Sequence, residues 1–113
     1  MRFYRLFLLI GFFCSLAACA RSNSSIDPLP AEAYATLTLI DQNGPYPYKR
    51  DGITFNNFER RLPDKPRGYY REYTVPTPGR RDRGARRIIT GGSPPVVFYY
   101  TNDHYRSFQV ITR

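Results

Sequence analysis

The sequence predicts an α+β fold, one N-terminal helix packed on a twisted antiparallel β-sheet. Two observations predict it. Ala33, Leu37 and Ile40 recur at i, i+4 and i+7, which places them on one stripe of a helix. From Tyr69 onward the chain then passes through strand-like runs in succession, separated by Pro, Gly and Asn turn signals. One helix followed by sequential strands is the arrangement of a sheet with its helix on one face.

The N-terminal segment is read apart from that fold. Arg2 and Arg5 form a basic start, and Leu6 to Ala18 is an apolar run of 13 residues. A membrane-spanning helix needs ~20 such residues, so the run suits a cleaved export signal. Leu16-Ala17-Ala18-Cys19 resembles a bacterial lipobox, in which Cys19 becomes the lipid-bearing first residue; Ala18-Cys19-Ala20 also fits ordinary cleavage after Ala20. Acyl chains on Cys19 would hold the protein on a membrane at about 0.8 kcal/mol per buried methylene. Residues 1–18 are therefore expected to be a signal of lipoprotein type, 19–28 a Ser/Asn-rich tether, and 29–113 the folded domain. The protein is expected to be exported, either extracellular or lipid-anchored at the cell envelope, and to be a monomer.

Net charge is +8 for the full chain, and removing Arg2 and Arg5 with no acid leaves +6. That balance favours an anionic partner: nucleic acid, acidic lipid or an acidic protein. Cys14 falls in the signal, so only Cys19 could remain and no internal disulfide is possible. Packing alone must hold the domain. One histidine and no second mature cysteine cannot make the usual zinc sets, so neither metal nor cofactor is expected.

Taken in order, Pro30 is expected at the first helical position, with Glu32 near the positive end of the dipole and Asn43-Gly44-Pro45 as the stop. Asp51-Gly52 marks a turn, and Ile53-Thr54-Phe55 is a short strand at most. Asn56 and Asn57 then turn the backbone. Tyr69 to Val75 alternates: Tyr69, Arg71, Tyr73 and Val75 share one side, and Tyr70, Glu72 and Thr74 the other. Further strands are expected over 86–90, 96–101 and 107–112, the last two joined by a loop of about five residues at 102–106.

Three features carry chemistry. Glu72 lies mid-strand, where glutamate is disfavoured unless it faces water or has a task. Arg80, Arg81, Arg83, Arg86 and Arg87 crowd five guanidiniums into eight residues, with no lysine among them. Arginine gives planar multidentate contacts to phosphate that lysine cannot, although such a run also serves as a solvated basic face. His104 is the lone histidine, and its unperturbed pKa lies near neutrality. A carboxylate, an imidazole and guanidiniums suffice, without metal, to cleave RNA through its own 2′-hydroxyl. DNA lacks that nucleophile and would be bound without being cut.

These residues resemble the small secreted microbial guanyl-specific ribonucleases, the barnase-like group and its short single-domain members. The likeness spans Leu29 to Ile111. It rests on Asp51-Gly52-Ile53-Thr54-Phe55, on Asn57 and Glu59 before Leu62-Pro63, and on Tyr69-Tyr70-Arg71-Glu72-Tyr73-Thr74-Val75. It continues through Pro78-Gly79, Arg83-Gly84-Ala85-Arg86-Arg87-Ile88-Ile89-Thr90-Gly91 and Tyr99-Tyr100-Thr101-Asn102-Asp103-His104-Tyr105.

The resemblance implies Glu72 as general base and His104 as general acid, with Arg83 and Arg87 holding the scissile phosphate, helped by the Tyr105 hydroxyl. Guanine would sit in the loop after Phe55, which would supply a stacking face. Glu59 would accept from the ring N–H and exocyclic amine, and backbone amides around Asn56 and Asn57 would donate to O6. Adenine would leave a buried carboxylate unsatisfied, costing about 1–3 kcal/mol. Arg80, Arg81 and Arg86 would supply general attraction for RNA. The pattern departs at Phe58, where the family usually has arginine, and in lacking the disulfide that the short exported members commonly carry.

The function expected is a metal-independent, guanyl-preferring endoribonuclease. It would cleave single-stranded RNA 3′ of G to a 2′,3′-cyclic phosphate and then hydrolyse that. A barstar-like acidic inhibitor is the partner the resemblance suggests. The competing readings are a catalytically inactive surface module of the same fold that binds RNA or a protein, and a basic structural lipoprotein that meets anionic lipid.

Overall fold

The computed structural model describes residues 28–113. The expected signal at 1–18, Cys19 and its lipidation, and all of the tether except Pro28 lie outside the described residues.

Helix α1 (Ala31–Gln42) buries Ala33, Thr36, Leu37 and Ile40, the expected stripe with one polar addition. The Thr36 hydroxyl lies 3.1 Å from the carbonyl of Glu32 in its own helix and 3.1 Å from that of Thr74 in the sheet, which ties the two layers. Pro30 stands one place earlier than expected. Its φ of −67° suits a helix, but its ψ of 157° is extended and makes it the N-cap. The helix stops where Asn43 turns left-handed at φ 64°, and Gly44 donates its N–H to the Leu39 carbonyl at 2.8 Å.

Five strands follow: β1 (Ile53–Thr54), β2 (Tyr70–Thr74), β3 (Arg87–Gly91), β4 (Val97–Thr101) and β5 (Gln109–Val110). They form one sheet in sequence order, each pair antiparallel. The expected strands are present with trimmed ends, the last most of all. Residues 107–112 shrink to Gln109–Val110 because Ser107 is drawn back onto Asp103, by its N–H at 2.9 Å and its hydroxyl at 2.6 Å. The loop before β5 is correspondingly longer than five residues.

Register decides which side chains meet. Glu72 opposes Ile89, which opposes Tyr99; Thr74 opposes Arg87, which opposes Thr101. Directly opposed residues share a face of a sheet, so one face collects Tyr70, Glu72, Thr74, Arg87, Ile89, Tyr99 and Thr101. The other presents Tyr73, Val75, Ile88 and Tyr100 to α1, where they pack with Ala33, Leu37, Ile40 and Ile111. The alternation expected along β2 is therefore realised. The face away from the helix has a small core of its own, in which Leu62, Tyr70 and Ile89 are covered by Phe55, Tyr69, Tyr99, Tyr105 and Phe108. Asp51 pins the start of β1 to the end of β2, accepting from the Thr74 N–H at 2.8 Å and the Tyr48 N–H at 3.2 Å.

Candidate active site

The aromatic-lined face gathers the residues that the sequence singles out. Glu72 sits at its centre, and a solvated strand position does not describe it: 7% of the residue is exposed. Its Oε1 accepts a hydrogen bond from the Tyr105 hydroxyl at 2.9 Å. The same oxygen lies 3.8 Å from Arg83 Nη1 and 3.9 Å from Arg87 Nε.

Each partner is held by the fold. Arg87 follows the turn into β3 and is 2% exposed. Its Nη1 donates to the carbonyls of Gly84 at 3.1 Å and Arg86 at 2.7 Å, so the guanidinium is fixed from behind. Its Nε, buried and facing Glu72, makes no hydrogen bond. A buried N–H without an acceptor is costly unless a ligand supplies one. Arg83 reaches in from the loop before β3 and donates to the Thr74 hydroxyl at 2.8 Å. Burial pushes the Tyr105 phenol up to about 12, and the neighbouring Glu72 carboxylate adds to the shift. The phenol thus remains a donor throughout the neutral range.

His104 and Tyr105 both take left-handed backbone, φ 58° and 74°, which side chains with a Cβ rarely adopt. The loop around Asp103 imposes it. That carboxylate accepts from the Thr101 hydroxyl at 2.8 Å, the Arg106 N–H at 3.1 Å and both donors of Ser107. His104 is exposed, its N–H tied to the Ala85 carbonyl at 3.0 Å and its ring 4.8 Å from that of Tyr105. It sits where the arginine loop and the β4–β5 loop meet.

On the other side of Tyr105 lies Phe55, ring centroids 5.0 Å apart, at the root of the asparagine loop. Asn57, at φ 56°, spends its side-chain amide inside that loop, donating to the Leu62 carbonyl at 3.0 Å and accepting from the Leu62 N–H at 3.1 Å. The backbone N–H groups of Asn56, Asn57, Phe58 and Glu59 make no hydrogen bond among the described residues. A run of free N–H donors in a turn is an anion- or carbonyl-binding concavity. The Glu59 side chain is 67% exposed, not buried as the discrimination argument above assumes. Leaving it unpaired is costly only once a bound base covers it.

The structure thus brings Glu72, Arg83, Arg87 and Tyr105 into contact, sets His104 beside Tyr105, and leads through Phe55 to Asn56, Asn57 and Glu59. Two of the five arginines are otherwise engaged: Arg80 is bidentate to Asp82 at 2.7 and 2.9 Å, and Arg86 lies 3.5 Å from Glu32. Arg81 has no acidic partner among the described residues. One residue escapes the sequence reading altogether. Arg61 Nη1 lies 3.4 Å from Glu59 and donates to the Tyr105 carbonyl at 3.4 Å, joining the asparagine loop to the β4–β5 loop. Its only sequence signal is a cation two places after Glu59, and irregular loops have no period to make that spacing informative.

Known proteins resemble the chain in sequence and fold. A family model described as ribonuclease matches residues 15–112. Guanyl-specific ribonuclease Sa of Kitasatospora aureofaciens is 54% identical over 86 residues, which is 76% of this chain and 88% of that one. Guanyl-specific ribonuclease St of Saccharopolyspora erythraea is 52% identical over 82 residues, 73% of this chain and 79% of that one. A solved structure of ribonuclease Sa2 with mononucleotides superposes with TM-score 0.72 at 55% identity, covering 75% of this chain and 86% of that one. Ribonuclease Sa2 with guanosine-2′-cyclophosphate gives TM-score 0.69 at 56% identity, over 74% and 87% of the two chains. Sequence likeness and fold likeness coincide across the whole described domain, and on that extent the chain belongs to the ribonuclease family.

Proposed function

We propose that the protein is a guanyl-preferring endoribonuclease that cleaves single-stranded RNA on the 3′ side of guanosine. The observation that carries this is the setting of Glu72, a buried carboxylate beside two guanidiniums, one of which keeps a buried N–H unpaired. Glu72 takes the proton of the ribose 2′-hydroxyl, and O2′ forms a bond to the adjacent phosphorus. The bond from phosphorus to the departing 5′-oxygen breaks as His104 protonates that oxygen, leaving a 2′,3′-cyclic phosphate. Water then opens the ring more slowly with the two roles exchanged. Arg83 and Arg87, with the Arg87 Nε donor, neutralise the charge that builds on the phosphoryl oxygens. The Tyr105 hydroxyl orients Glu72 and lies within reach of the same phosphate.

Guanine is read by the asparagine loop. The free backbone N–H groups from Asn56 onward donate to O6, Glu59 accepts from the ring N–H and the exocyclic amine, and Phe55 stacks on the base. Arg61 supports Glu59 from behind. That the relatives are named guanyl-specific, and that one is solved with a guanosine cyclic phosphate, supports this choice of base.

The test compares GpN and ApN dinucleotides with a chelator present, using the fragment from Ser22 onward. GpN is cleaved to a cyclic phosphate and ApN much more slowly; no cleavage, or cleavage only after metal is added, overturns the proposal. Export follows from the basic start and apolar run at residues 1–18. Attachment through a lipid on Cys19 is checked by the mass of the mature N-terminus. The working form is a monomer, and an acidic inhibitor of the barstar kind would cover the basic face.

A further inference from the structure

On the helix side of the sheet, across it from Glu72, a cavity of about 360 Å³ opens beside the end of α1. Thr90 and Tyr73, both buried, lie at its floor, and Arg71 and Ser93, both exposed, lie at its rim. The register explains the grouping: Arg71 on β2 directly opposes Thr90 on β3, so the guanidinium and the hydroxyl leave one face of the sheet from adjacent strands. Thr90 is 1% exposed, and its Oγ1 has no hydrogen-bond partner. The other buried side-chain atom left in that state among the described residues is Arg87 Nε, at the candidate active site. A buried hydroxyl without a partner is costly, and a ligand that accepts from it removes the cost.

The groups around Thr90 say what kind of ligand. Arg71 gives one N–H to the Gly52 carbonyl at 3.0 Å and has no acidic partner among the described residues. The backbone N–H groups of Gly68 and Ser93, both in the lining, make no hydrogen bond among the described residues, and Ser93 adds a hydroxyl. No Asp or Glu lines the cavity. Asp51, next to Gly52, spends its oxygens on the N–H groups of Thr74 and Tyr48. The Leu39 and Ile40 carbonyls at the end of α1, which would repel an anion, accept from the N–H groups of Gly44 and Asn43. Donors gathered around one cation, with the acceptors already taken, suit a small oxyanion. We propose that this cavity binds phosphate, held by the Arg71 guanidinium, the Thr90 hydroxyl and the Ser93 N–H. Bound there, phosphate ties β2 to β3 and stabilises the folded domain by mass action. The site lies across the sheet from Glu72 and does not depend on the ribonuclease reading.

The experiment titrates inorganic phosphate into the protein, with chloride holding the ionic strength constant, and follows backbone amide shifts by NMR. The amides of Gly68, Arg71, Thr90 and Ser93 should move together and saturate, separately from any response around Arg83 and Arg87. Arg71→Gln, and separately Thr90→Val, which keeps the shape and drops the hydroxyl, should weaken the apparent Kd of the first group about tenfold or more. Both should leave the response around Arg83 and Arg87 as in the wild type, and an unchanged spectrum away from the cavity shows that each variant is folded. A response confined to the arginines near Glu72, one that chloride alone reproduces, or variants that bind phosphate as the wild type does, overturns the site. Each of those outcomes leaves the dinucleotide assay to decide the enzyme reading by itself.

Discussion

Two contacts of Tyr105 bear on the proposed catalysis. Its hydroxyl donates to Glu72 at 2.9 Å, and its ring packs on Phe55 at 5.0 Å. Tyr105→Phe removes the first and keeps the second, so base binding survives while the carboxylate loses its orienting donor. A hydrogen bond to a charged group contributes about 1.5–3 kcal/mol. Steady-state kinetics on GpN should therefore show kcat down about ten- to a hundredfold with KM within about twofold. A large rise in KM with kcat unchanged would assign Tyr105 to substrate binding instead. At His104 the readout is the pH profile. If Glu72 and His104 act as base and acid, kcat/KM is bell-shaped, and His104→Gln flattens the alkaline limb. An unchanged profile in that variant removes the imidazole from the role of acid.

At the level of elements, the loop between β4 and β5 is organised by Asp103. Burial pushes its carboxyl up, but hydrogen bonds from Ser107, Thr101 and Arg106 outweigh that and hold it near 2. The folded value lies below the ordinary 3.8, so the ionised form favours the folded loop above that pH, and the contribution is lost as pH falls toward about 2. Melting curves of the wild type and Asp103→Asn should differ at neutral pH and converge between pH 4 and about 2. A constant difference down to that range would mean the loop does not depend on this charge. The strands and helix were legible beforehand because Ala33, Leu37 and Ile40 keep a helical period, and because Tyr70–Glu72–Thr74 alternates with Tyr73 and Val75. Burial of Glu72 was not legible. It is covered by Tyr105 and Arg83 from loops far along the chain, and a strand pattern shows which residues share a face but not what lies on it. The same holds for Arg61, whose partners Glu59 and Tyr105 meet only once both loops are folded. The acid and base roles came from the family resemblance alone; the period of the sequence gives no reason to connect Glu72 with His104.

Across the whole molecule, charge is unevenly neutralised. Glu32, Asp41, Glu59 and Asp82 each pair with an arginine, whereas Lys49, Arg50, Arg60, Arg67, Arg81 and Arg106 have no acidic partner among the described residues. A chain of phosphates releases counterions when it meets such a surface, and a dinucleotide releases few. The logarithm of kcat/KM should fall with the logarithm of salt concentration, by about 0.7 for each phosphate contacted on single-stranded RNA. The slope for GpN should be much shallower; equal slopes would confine RNA contact to the reacting phosphate. The sheet ends in two strands of only two residues each, β1 and β5. A longer free margin is what lets one chain add itself to another and seed insoluble aggregates. Here the margins offer too little backbone to start such growth, and the candidate site residues lie on the inner strands and the loops beside them. The described residues contain no cysteine to cross-link them, so the short margins are what limits the capture of one unfolding domain by another.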